Sequence, residues 1–171
     1  MMRSFFVSLG FILAWLAPTL AGAASPDVTL NDVYGKPHHF SEYIGRGHWT
    51  VLVVWGPRCP PCIEEMPELQ GFHDDHEKGK ARVLGIAVDF PTFGQARRDE
   101  VAQFADDHLI TFPLLLGNAE AFTRFGGADL QGMPTTLIYD RKGAIVVRHT
   151  GSITRDMIER FITKWDAEAA Q

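Results

Sequence analysis

Residues 50–62 read TVLVVWGPRCPPC. The first six, Thr50–Trp55, are a continuous apolar run rich in β-branched side chains, the pattern of a strand buried on both faces in a parallel sheet. A helix is expected to follow from Pro60 to Lys78. Pro60 and Pro61 fall in its first turn, where missing N–H groups cost little. Met66, Leu69 and Phe72 give it an inner stripe, and Pro67 is expected to kink it. The only two cysteines of the chain, Cys59 and Cys62, therefore sit where a buried strand hands over to a helix.

The remaining pattern extends this unit. ARVLGIAVD (Ala81–Asp89) reads as a second buried strand. A helix is expected over Gln95–His108 with Val101, Phe104 and Ala105 inward. A short strand follows in FPLLLG, then a short helix over Ala119–Phe125. TTLIYD and AIVVRHTG flank Arg141-Lys142-Gly143 and predict an antiparallel hairpin. Thr154–Ala167 is a final amphipathic helix, with Met157, Ile158, Phe161, Ile162 and Trp165 at helical spacing. Residues 25–49 are polar and read as a short hairpin or an extended lead-in, with a turn at Tyr34–Pro37. The order β-α-β-α, hairpin, α predicts an α/β three-layer sandwich with a mixed central sheet.

The 171 residues, 46% of them hydrophobic, suffice for one domain with a core and are too few for two. A net charge of −5 supplies no basic face for nucleic acid. The N-terminus departs from this average. MMRSFFVSLGFILAWLAPTLAGAAS has one Arg, an apolar core from Phe5 to Leu16 and an Ala-x-Ala pattern at residues 21–23. Residues 1–23 are read as a signal peptide cut after Ala23, with an uncleaved membrane anchor as the alternative. Residues 24–171 are then one exported domain.

Export puts the cysteines where a disulfide persists. Two cysteines separated by two residues are a poor staple, because closing so short a loop removes little unfolded-state entropy. A structural zinc site wants four ligands, and no second Cys-x-x-Cys exists. Redox exchange is the reading that remains best supported. Cys59 opens the helix, where the dipole favours a thiolate, and Arg58 adds positive charge. Pro60 and Pro61 withhold two N–H donors, and Glu65, one turn beyond Cys62, opposes a nearby thiolate. The balance holds the Cys59 thiol modestly below the ordinary thiol range. A strong oxidant needs a highly stabilised thiolate, so a reductase or mild exchanger is expected. Cys59 would attack a partner disulfide, and Cys62, facing inward, would resolve the mixed disulfide. Far along the chain, GMPTT (Gly132–Thr136) places Pro134 at the entry of a strand. A cis Met133–Pro134 bond there would hold an extended backbone open beside the cysteines.

VLVVWGPRCPPC and GMPTTLIYDRKGAIV together resemble the TlpA/ResA branch of the thioredoxin superfamily, over roughly Val28 to Ile162. The resemblance implies a thioredoxin-like fold over residues 24–171 and thiol–disulfide oxidoreductase activity without cofactor or metal. It implies Cys59 as nucleophile, Cys62 as resolving cysteine and Pro134 as the cis-proline. It further implies Glu65 as an acid that tunes the thiols and moves protons, and Pro67 and Trp55 as matching structural residues. Val53 stands where cytoplasmic-type thioredoxins carry a buried aspartate. Arg58 replaces the tryptophan common before the first cysteine, and RFGGADLQGMPTT is longer than the usual linker. Arg58, Pro60, Met133 and Thr135 are expected to meet the partner chain. The implied partners are disulfides of exported periplasmic proteins, among them apocytochrome c cysteines in cytochrome c biogenesis and copper-site cysteines of oxidase assembly factors. A membrane electron donor of DsbD or CcdA type is implied, and the protein is expected to be a monomer.

Two rivals stay open. One is a copper-delivery module using Cys59, Cys62 and His149, since soft thiolates suit Cu(I). The other is a general disulfide oxidant. Glu65 is open between a solvent-facing carboxylate and a thiol-coupled acid. His73 and His76 are read as a solvated helix end, and His38, His39 and His48 as exposed.

Overall fold

The computed structural model describes residues 28–126 and 128–169. At its centre is the strand that the apolar run predicts. β3 (Trp49–Trp55) is buried at every position and flanked on both sides. The full order is β1 (Thr29–Asp32), β2 (Pro37–His39), a 3-10 turn (Phe40–Glu42), β3, α1 (Pro60–His76), β4 (Ala81–Ala87), α2 (Arg98–Asp107), β5 (Leu114–Leu116), α3 (Ala119–Gly126), β6 (Thr135–Tyr139), β7 (Ile145–Thr150) and α4 (Arg155–Ala169). The sheet has seven strands in the order β2-β1-β5-β4-β3-β6-β7.

β3, β4 and β5 run parallel, because α1 and α2 carry the chain back between them. β6 returns antiparallel to β3, with Val53 opposite Thr136, and the hairpin to β7 completes that edge. β1 pairs antiparallel with β5 and carries β2 outside it. Side chains alternate across β3. Val51, Val53 and Trp55 join Met66, Leu69 and Phe72 of α1, Val101 and Phe104 of α2, and Ile158 and Ile162 of α4. Leu52 and Val54 join Phe122 and Phe125 of α3 with Phe40. Helices thus cover both faces of a mixed sheet.

Several expectations are corrected. α2 begins at Arg98, not Gln95, because Gln95 forms an isolated antiparallel bridge with Val88. Met157 points to solvent, and the inward face of α4 is carried by Ile158 and Ile162. Trp165 lies at the rim, edge-on to Trp49. His73 is buried on the inner face of α1 beside Phe112, and His48 is buried where the chain enters β3. The expected signal peptide, residues 1–23, lies outside the described residues. No helix among the described residues is long and apolar enough to cross a membrane.

Candidate active site

Cys59 is the N-cap of α1, extended at φ −104°, at the carboxyl end of β3. Its N–H donates to Gly56 O at 3.1 Å, and its carbonyl accepts from Ile63 N–H at 3.0 Å. These bonds close the turn that launches the helix. The turn packs so tightly on β4 that a Cβ at Gly56 would stand 2.7 Å from Val88 O. The same Cβ would lie 3.5 Å from Met133 Cε and 3.6 Å from Phe90 Cβ, so these two side chains converge over the turn.

Cys59 and Cys62 are joined in a disulfide, their Cα atoms 5.2 Å apart. Cys62 faces inward as expected. Cys59 is fully buried as well, and both belong to the cluster against which Phe90 and Met133 pack. Pro60 is exposed beside them.

The second half of the site comes from β6. The Met133–Pro134 peptide is cis. Pro134 O accepts from Gly151 N–H at 2.9 Å. Thr135 is buried, and its hydroxyl donates to Gly132 O at 2.7 Å and lies 3.3 Å from Thr150 Oγ1. Its side chain therefore shapes the proline turn and is not available to a partner chain; Met133 is the member of that pair at the surface of the site.

Arg58 does not act as a free positive charge. Its guanidinium bonds the Asp89 carboxylate, and its Nε lies 3.8 Å from Glu100 Oε2. Asp89 also accepts from Thr92 Oγ1 at 2.5 Å. The Thr92 and Arg58 bonds hold its carboxyl below the usual aspartate range. The turn after β4 is thus strapped to the residue preceding Cys59. Sequence reasoning missed Asp89; its position at the carboxyl end of a parallel strand, where α/β sites gather, was the available signal.

Glu65 is buried, so it is not the solvent-facing carboxylate that is one of the two readings left by the sequence. Its Oε2 accepts Ile153 N–H at 3.0 Å, while Oε1 is buried without a hydrogen-bond partner among the described residues. Burial raises the carboxyl to about 7, against a smaller opposing effect of the Ile153 bond. The hydroxyl of Thr136, opposite Val53, is buried and equally unpartnered. His149, the candidate copper ligand, is bonded through Nε2 to Ser152 O at 3.1 Å. Among the described residues no three His, Cys, Asp or Glu side chains converge, so the copper reading finds no third ligand at the pair.

The arrangement is a buried disulfide at a helix N-terminus, a buried carboxyl with its pKa raised to about 7 one turn along, and a cis-proline loop whose Met133 packs against the same cluster. The AhpC/TSA family model matches residues 21–148. The thiol–disulfide oxidoreductase ResA of Geobacillus kaustophilus is 29% identical over 141 residues, 82% of this chain and 75% of its own. A thiol:disulfide interchange protein of the thioredoxin family from Chlorobium tepidum superposes with a TM-score of 0.69 at 20% identity, covering 82% of this chain and 93% of its own. A DsbF homologue from Corynebacterium diphtheriae gives 0.69 at 22% identity over 82% and 85%.

Proposed function

From the premise that the chain belongs to the AhpC/TSA family and is a thioredoxin-fold thiol–disulfide oxidoreductase, we propose that it works in the reducing direction on disulfides of exported proteins. The observation that carries the direction is the electrostatics around Cys59. The adjacent cation in sequence, Arg58, is bound by Asp89 and faces Glu100. Pro60 and Pro61 offer no N–H at the helix start. Glu65 adds negative charge inside the protein once it ionises. Nothing here stabilises a thiolate strongly, and oxidants of the DsbA kind depend on that stabilisation.

In the proposed cycle the reduced protein presents Cys59 as thiolate. It attacks one sulfur of the partner disulfide, a mixed disulfide forms, and the partner's second sulfur leaves as thiolate. Glu65, as carboxylate, takes the proton of Cys62. The Cys62 thiolate attacks Cys59 Sγ and expels the partner's remaining sulfur, restoring the buried disulfide. Arg58, Pro60, Met133 and Pro134 are the proposed contact surface. Two electrons must then return from a donor; a membrane carrier of DsbD or CcdA type fits a periplasmic protein bearing an N-terminal export segment. Apocytochrome c cysteines and copper-site cysteines are the proposed substrates, and the domain spans residues 24–171 as a monomer.

The reduction potential of the Cys59–Cys62 pair, read by equilibration against dithiol buffers, tests the direction. A value near that of thioredoxin, about −270 mV, is expected. A value near about −120 mV would place the protein among the oxidants and end the reductive reading.

A further inference from the structure

The bond between Ile153 N–H and Glu65 has a second end. The N–H that donates to Glu65 Oε2 at 3.0 Å belongs to the same peptide group as the Ser152 carbonyl. That carbonyl lies 3.1 Å from His149 Nε2. A carbonyl oxygen only accepts, so Nε2 must carry the proton. One planar peptide unit therefore stands between a partly exposed imidazole on β7 and a buried carboxyl on α1, hydrogen-bonded at both ends.

The local chain is built for this. Gly151 adopts φ +110°, a conformation that side-chain-bearing residues rarely take, which turns the chain back after β7. Gly151 N–H then donates to Pro134 O at 2.9 Å. The same turn thus touches the proline loop, the imidazole and the acid. The Ile153 end of this peptide group is buried and the Ser152 end is exposed, and hydrogen bonds in series polarise one another. Cys59, Cys62 and Glu68 lie on or at the start of the same helix, α1. On α4, Arg155 donates its N–H to Glu68 and pairs its side chain with Asp75 and Glu159.

We propose that His149 is a positioning residue for the thiol–disulfide reaction, acting on Glu65 through the Ser152–Ile153 peptide group. Donation from Nε2 to Ser152 O withdraws electron density from the peptide nitrogen and strengthens the N–H bond to the Glu65 carboxylate. His149 thereby favours the ionised form of an acid that its burial opposes. This inference rests on the reading of Glu65 as the thiol-coupled acid, yet it can fail separately.

The test reads Glu65 alone, in the full-length oxidised protein, where the two cysteines do not titrate. Carbon-13 NMR of the glutamate carboxyls, assigned with Glu65→Gln, gives its midpoint in wild type, His149→Val and His149→Gln. His149→Val loses the donor and should displace the midpoint upward by roughly 0.2–0.5 of a pH unit, the size expected if one bond strengthens the next by about 10–30%. His149→Gln can still donate to Ser152 O and should restore most of the wild-type midpoint. An unmoved or lowered midpoint in His149→Val, or an equal displacement in both variants, overturns the inference. The thiol coupling of Glu65 is judged separately, by the effect of Glu65→Gln on the titration of Cys59 in the reduced protein.

Discussion

Two carboxylates flank the disulfide and show opposite behaviour. Asp89, at the rim, accepts from Thr92 and Arg58 and is held below its ordinary range. Glu65, inside, has one backbone donor and an empty second oxygen, and is pushed up to about 7. The chemistry of the two groups is the same. What differs is the count of donors set against the loss of water, and in the interior the loss of water wins. The rim has therefore cancelled a charge, and the interior has kept a proton near neutrality. A thiol–disulfide oxidoreductase that must move protons as well as electrons has a use for the second arrangement on its active-site helix, and for the first at the rim.

The largest effect comes from removing what both acids surround. Cys59→Ala should abolish disulfide exchange altogether. Cys62→Ala should leave Cys59 able to attack and unable to be released, so mixed disulfides should accumulate on gels without reductant. If Cys62→Ala captures nothing from a periplasmic extract while the wild type remains active, the interior side of the comparison has lost its resolving thiol.

Glu65→Gln addresses the interior acid next. Its carboxyl binds a proton more tightly in the folded protein, about 7 against an ordinary 4.5. Stability linked to this group is therefore fully present below about pH 4.5 and lost as pH rises through about 7. At pH 8 the buried carboxylate costs on the order of 3 kcal/mol, and Glu65→Gln should recover much of it; at pH 4 the variant and the wild type should unfold at nearly the same denaturant concentration. A gain that persists at pH 4 would mean that packing, rather than ionisation, separates the two side chains. The variant should also lower the Cys59 thiol in the reduced protein, by removing a like charge.

How legible this was differs between the same two regions. The strand–helix junction announces itself through local pattern: TVLVVW fits a doubly buried strand, and the paired prolines mark a helix start. The burial of Glu65 was present in the spacing too. Residues 62, 65, 66, 69, 72 and 73 lie on one face of α1, so the stripe that marks Met66 and Leu69 also carries Glu65 and His73 inward. Polarity argued for the outside and geometry decided for the inside. The Arg58–Asp89 pair could not be read, because 31 residues separate its members and only the parallel pairing of β3 with β4 brings them together. The same holds for β1, which sits next to β5 although about half the chain separates them. The bond from Ile153 to Glu65 joins residues 88 apart and follows from how the turn after β7 packs on α1.

The smallest effect sharpens the rim. Arg58→Ala leaves the Asp89 carboxylate uncompensated, so alkylation of Cys59 by a neutral agent should slow modestly, whereas the double variant Arg58→Ala/Asp89→Asn, which removes both charges, should barely change it. Asp89→Asn keeps the shape and most hydrogen bonds but leaves the Arg58 charge uncompensated beside the nucleophile. The thiolate fraction of Cys59 below its midpoint should then rise by about two- to fivefold, the scale of an exposed ion pair. Arg58 is more than half exposed, so this gain should shrink in 1 M salt, where screening acts within about 3 Å. Glu100, 3.8 Å from the Arg58 Nε, sets the remaining ceiling on the effect. The double variant is the informative one. If Arg58→Ala/Asp89→Asn shifts alkylation as much as either single variant, the rim charge is not cancelled in solution. The contrast between a silent rim and an active interior would then have to be redrawn with Arg58 among the groups that tune the thiol.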